Sequence, residues 1–155
     1  MAIRGNGSDY DISLNAGSSI QTSTSQYLVV GIEDTSTSVD ATAYLSNAGA
    51  ALSSTITARM ALGINQTYMS SGSNEAAIRV QGISKAKCAA AVKAGAFVTA
   101  YEGASTTTFA GHVQAFAVGT VLTATSARVI LGRALESGAT NTVISVLLSP
   151  SIMPI

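Results

Sequence analysis

The chain has 155 residues, no net charge, and only 10% Asp, Glu, Lys and Arg, against about 25% in an ordinary soluble domain. Five Arg and three Lys, scattered apart from Lys85, Lys87 and Lys93, argue against a phosphate-backbone ligand, which needs a cationic patch. The single Cys88 excludes an internal disulfide. No apolar run is long enough for a membrane span, and no apolar leader follows the N-terminal methionine.

Synthesis in the cytoplasm is therefore expected, with no membrane and no direct nucleic-acid partner. Ala, Ser, Thr and Gly make up about half of the chain, and tryptophan is absent. Surfaces built from such small, weakly polar side chains can be buried against neighbours at little desolvation cost. The composition thus points to a subunit of a tight assembly. A stable monomer with a Ser/Thr-rich surface is the alternative.

Residues 1–26 are polar and nearly aperiodic, apart from the alternation of Tyr10, Ile12 and Leu14 with Asp11 and Ser13. They are expected to form an extended N-terminal arm that is ordered on a partner, with disorder or packing on the chain's own barrel as the alternatives. Tyr10, Ile12, Leu14 and Ile20 are its candidate contacts with a capsid or a neighbouring subunit. From residue 27 to 149 a β-rich barrel domain is expected. Its first strand is the apolar run Tyr27-Leu-Val-Val-Gly-Ile32, and Ala41-Thr-Ala-Tyr-Leu45 is a second. Apolar residues at 56, 58, 60, 62 and 64 give a period of two, with a break expected at Gly63. Ser70 to Asn74 reads as a turn, and Ala77 to Ile83 alternates again.

Ser84-Lys-Ala-Lys-Cys-Ala-Ala-Ala-Val-Lys-Ala94 is rich in strong helix formers, with Ser84 placed as an N-cap and Gly95 as a stop. One short α-helix over 84–94 is predicted, its lysines on a solvated face. Strands follow at Phe97 to Tyr101, Gly111 to Val118, Arg128 to Leu131 and Val143 to Leu148. The last is apolar on both faces, as a central strand is. The tail 150–155, with Pro150 and Pro154, is not expected to continue a ladder. Its Ile152, Met153 and Ile155 are further candidate interface residues. The fold class is mainly β, a small barrel or β-tulip-like domain.

Two stretches echo one another. Leu62-Gly63, Ser71-Gly72, Ile78 and Val80 match Leu131-Gly132, Ser137-Gly138, Ile144 and Val146. Each reads as strand, turn, strand. Ancestral duplication and chance in a low-complexity composition both account for it.

Catalytic chemistry finds little material. The sole histidine, His112, lies in an apolar stretch without an evident orienting carboxylate. Asp9 and Asp11 are too few oxygens for calcium, and Cys88 lacks the companions a metal cluster needs. Gly5-x-Gly7 lacks the context of a phosphate loop, and Asn65-Gln-Thr67 is the kind of sequon that a Thr-rich chain makes by chance. No catalytic residue, cofactor or metal is expected, and the protein is not expected to be an enzyme.

The stretch Val80-Gln-Gly-Ile-Ser-Lys-Ala-Lys-Cys-Ala-Ala-Ala-Val-Lys-Ala-Gly-Ala-Phe-Val-Thr99 resembles the head decoration, or capsid cement, proteins of tailed bacteriophages. So do Gly132-Arg-Ala-Leu-Glu136 and Ile144-Ser-Val-Leu-Leu148, and the likeness covers about residues 76–149. The resemblance implies a small β-barrel subunit on the outer surface of a mature phage head, trimeric at local three-fold positions. It also implies binding to the major capsid protein, stapling neighbouring capsomers. Another phage structural subunit, such as a tail-tube or minor capsid protein, is the first alternative. A host- or carbohydrate-binding β-module is the second, and the scarcity of aromatic residues counts against it.

Overall fold

The computed structural model describes residues 3–6, 9–17, 20–32, 42–45, 61–72, 74–101, 107–116 and 128–153. They form a mainly β protein with ten strands: β1 (Ile3–Asn6), β2 (Asp9–Ala16), β3 (Val29–Ile32), β4 (Thr42–Leu45), β5 (Ala61–Asn65), β6 (Glu75–Lys87), β7 (Phe97–Ala100), β8 (Val113–Ala115), β9 (Arg128–Ala134) and β10 (Val143–Met153). The long strand β6 belongs to two circuits. In the first, β2 pairs with β4, β4 with β3, β3 with β5, β5 with β6, and β6 again with β2. In the second, β6 pairs with β10, β10 with β9, β9 with β7 and β7 with β8. That second circuit is nearly closed by a parallel bridge between Cys88, just past β6, and Val113.

The division falls at Gly82, whose φ of 97° is open to glycine and costly for other residues. Upstream of it β6 pairs with β2 and β5, and downstream with β10. Two aliphatic cores result. Leu14, Ile20, Val30, Met69, Ala76 and Ile78 fill one, while Leu131, Ile144, Val146, Leu148, Val98 and Val113 are the larger side chains of the other. Strand β3 stands between them, with Val29 in the second core and its neighbour Val30 in the first. A strand buried on both faces must be apolar at successive positions, which accounts for the run from Leu28 to Val30.

Residues 84–94 are not a helix, and the described residues contain no α-helix. Ser84, Ala86 and Cys88 are buried while Lys85 is exposed, a period of two that continues β6. Helix propensity is worth only tenths of a kcal/mol per residue, and burying every second small side chain in a barrel wall outweighs it. Beyond Cys88 the chain runs in bends. Val92 is bonded in both directions to Gly138, and Gly95 turns it into β7 with a φ of 81°.

Three further expectations meet the structure. Strand β5 runs through Gly63, where a Cβ would overlap the carbonyl oxygen of Arg79, but its pairing with β3 shifts register between Gly63 and Ala61. Strand β10 runs past Pro150 to Met153, since the register shifts between Leu148 and Ser151 and the proline falls in that irregularity. Residues 9–16, expected in an arm, are extended and are paired with the chain's own β6 from Tyr10 to Asn15. The buried Asn65 of the sequon is fully engaged: its amide nitrogen donates to Ser25 O and Thr67 O, and its oxygen accepts from Thr67 N at 3.0 Å.

The two echoing segments are both antiparallel hairpins, β5–β6 and β9–β10. In each, the glycine lies where the facing strand comes too close for a side chain: Gly63 against Arg79 O and Gly132 against Leu147 O. Their registers differ. Asn65 opposes Ile78, whereas Ala134 opposes Val146, two positions beyond Ile144. A slide of two keeps the same side chains inside.

Candidate interaction surface

The outer wall of β6 has two contrasting stretches. Around Gly82, where the ladder changes partner, Arg79 does the joining. Its Nε and Nη2 donate to the two carboxylate oxygens of Asp11 at 2.8 and 3.1 Å. Its Nη1 donates to Ile83 O at 2.7 Å and lies 3.1 Å from the Asp9 carboxylate. Asp9 in turn accepts from Ile83 N at 3.1 Å. The two side chains thus satisfy both backbone groups of Ile83 and pin β2 to β6 across the bulge. Bonding to Asp11 raises the Arg79 pKa, so the guanidinium stays charged. The acidic pair Asp9 and Asp11 is therefore bound to an arginine. Among the described residues no group of three or more His, Cys, Asp or Glu could hold a metal ion.

Downstream of Gly82 the same wall is apolar. Ile83 of β6 opposes Leu147 of β10, Leu147 opposes Arg133 of β9, and Arg133 opposes Phe97 of β7. These positions form one row across four strands, about 14 Å long at the usual strand spacing. Ile83 is 52% exposed and Leu147 44%, and Val143 and Leu135 are exposed nearby. The Arg133 guanidinium carbon lies over the Phe97 ring, 4.4 Å from its centroid, which sets its charge against an aromatic face.

The border of the row is polar but internally neutralised. Lys85 Nζ is 3.3 Å from Glu136 and 2.8 Å from Ser145 Oγ. Glu136 also accepts from the Ser145 backbone N–H. Hydrogen bonds from Ser145 come first, and Lys85 adds to them, in drawing the Glu136 pKa below the usual carboxylate value. An apolar centre inside a satisfied polar margin is the anatomy of a protein–protein contact.

The structure separates the residues expected at an interface. Tyr10 is 44% exposed on β2, opposite Gln81, and so close to the Ile83 end of the row. Ile12 is half-buried against the first core, while Leu14 and Ile20 are buried within it. Ile152 and Met153 lie on β10 opposite Val129 and Arg128. Their side chains, and Ile155, fall outside the described residues. Ile83, Val143, Leu147, Leu135 and Arg133 were not expected. Their signal was present: a strand needs only one apolar face for its own core, and Val143-Ile-Ser-Val-Leu-Leu148 has two.

No family model matches the chain, and no curated relative does. Among solved structures, the chain is similar to the N base of the head fiber protein gp8.5 of bacteriophage phi29, with a TM-score of 0.56. The match covers 94% of this chain and 98% of that one, at 9% sequence identity. The shared property is the fold, over nearly the whole length of both chains.

Proposed function

We propose that this protein is a structural component of a phage head, and more narrowly a capsid decoration (cement) protein. It would bind the outer surface of the assembled head, contact the major capsid protein, and stabilise the joints between capsomers as a homotrimer, without enzymatic activity. The observation that carries the reading is the uncovered apolar row Ile83–Leu147 with its neutralised margin, on a fold similar to that of a phage head-fiber base. Exposed large aliphatic side chains in register across a sheet fit a surface that another protein covers. With Lys85 paired to Glu136 and Arg133 set over the Phe97 ring, the surface suits a partner met by shape and burial more than by electrostatic steering.

Electron microscopy and heat challenge of phage heads with and without the protein test this. Decorated heads should carry extra density on the shell and survive a higher temperature. Equal density and equal survival would refute it. The same fold similarity favours a second reading, in which the protein is the base of a fiber rather than a staple. In that case it would occupy isolated positions on the shell, and its loss would leave heat resistance unchanged.

A further inference from the structure

We propose that the turn carrying His112 is an acid-released latch, which ties β3, β7 and the end of β6 to β8 while His112 is neutral and lets go when it takes a proton. The turn is a crossing point of backbone hydrogen bonds. Val29 N of β3 donates to Gly111 O, Tyr101 N at the end of β7 donates to His112 O at 2.8 Å, and Ala89 N past β6 donates to Val113 O at 2.8 Å. His112 N closes the turn onto Phe109 O at 3.0 Å, and Gly111 has a φ of 75°. The imidazole is buried. Its Nδ1 is 3.3 Å from Ala110 O, and Nε2 has no hydrogen-bond partner. The Phe109 and His112 rings pack in a T-shaped pair with centroids 5.4 Å apart, and Phe109 forms a second such pair with Tyr101.

With Nδ1 donating to Ala110 O, Nε2 is a buried acceptor without a partner, a state a neutral imidazole tolerates. A second proton would place an unpaired N–H and a positive charge there, which burial opposes strongly. The charged group that acts on the ring is Lys87 at the end of β6, of the same sign, and among the described residues no carboxylate offsets it. Cys88, whose backbone bridges Val113, has a thiol raised by burial and so kept neutral. Burial first, and Lys87 after it, lower the His112 pKa against the pull of the Ala110 and Phe109 carbonyls. A folded pKa below the unfolded value means that the stabilisation is complete above about pH 6.5 and is lost as the pH falls below it. This latch does not depend on what covers the outer row.

One histidine makes the test direct. The full chain, labelled at histidine, is titrated by NMR from about pH 8 to pH 5, where carboxylates with ordinary pKa values near 4 stay largely ionised. The ring should titrate below 6.5. Amide exchange at 29, 89, 101 and 112 should rise together as it does, while the β2–β6 ladder stays protected. The unfolding equilibrium constant should grow by up to tenfold per pH unit, the slope of one proton, and this slope should vanish in His112→Phe. A ring midpoint at 6.5 without local exchange, or the same acid response in His112→Phe, overturns the proposal. Should the variant fail to fold, titration and exchange in the unaltered chain decide alone.

Discussion

Strand β6 presents two kinds of outer surface on either side of Gly82. Upstream, Arg79 is bonded to Asp9, Asp11 and Ile83 O, and polar groups are matched within the chain. Downstream, Ile83 and Leu147 face outward and are about half exposed, and Lys85 and Glu136 are tied to each other at the margin. The difference separates two uses of one strand: the upstream wall holds the protein's own first circuit together, and under the proposed function the downstream wall meets another protein. Substitutions on the two sides should therefore fail differently. Upstream changes should lower stability, and downstream outer-face changes should lower binding.

The largest expected effect tests what the two hairpins share. Replacing Gly132 by Val drives a side chain into Leu147 O, and Gly63→Val does the same against Arg79 O. Backbone cannot yield as a flexible side chain can. We expect a loss of about 3 kcal/mol or more in each, or no folded protein, in urea denaturation. A Gly132→Val protein with unchanged midpoint would show that the close approach of β9 and β10 is not needed.

Next come the two cores. Leu148→Ala empties a fully buried site in the second core and Ile78→Ala one in the first, and each should cost about 2–5 kcal/mol. The strand β3, with Val29 and Val30 facing opposite cores, couples them. One cooperative transition is expected for both variants. Two separated transitions in either would break the comparison by making the circuits independent domains.

A smaller effect is expected at the fork. Arg79→Met leaves the Ile83 carbonyl and two carboxylates without their donor. The side chain is only partly exposed, so a loss of about 1–3 kcal/mol is expected in the same assay. Lys85→Met on the exposed downstream margin should leave the midpoint where it was, because solvent screens that pair. Equal losses in the two variants would remove the asymmetry across Gly82.

Much of the fold was legible in the residues. Alternation revealed β6 over Ala77–Ile83, the apolar run at 27–32 revealed β3, and the Ser-Gly echo revealed the two hairpins. Ser84 to Lys87 was misread because Ala and Lys favour a helix locally, while the phase of burial that decides the matter depends on Val143–Leu148, far along the chain. The burial of Leu14 and Ile20 was missed for a related reason. Leu14 and Ile20 looked like surplus apolar residues in a polar segment, and only the second wall of the first circuit, Val30 and Ile78, shows that they are needed inside. Conversely, Leu147 lies in a run that is apolar on both faces, and only its register opposite Ile83 reveals that both point outward.

The smallest effect on stability should accompany a large effect on binding. Leu147→Ser and Ile83→Ser remove exposed apolar groups opposite one another without touching either core. Surface changes of this kind shift stability by about 0.5 kcal/mol or less. If the row is covered on the phage head, each substitution uncovers a polar group at the centre of a desolvated contact. A loss of tenfold or more in binding to heads is then expected, measured by co-sedimentation with undecorated particles. The control is Tyr68→Ser, which removes another highly exposed side chain from the loop between β5 and β6. Binding that survives both row substitutions, with Tyr68→Ser equally silent, would mean that the apolar row faces water in the assembly. The docking surface would then have to be sought elsewhere, beginning at the exposed Tyr10 on β2.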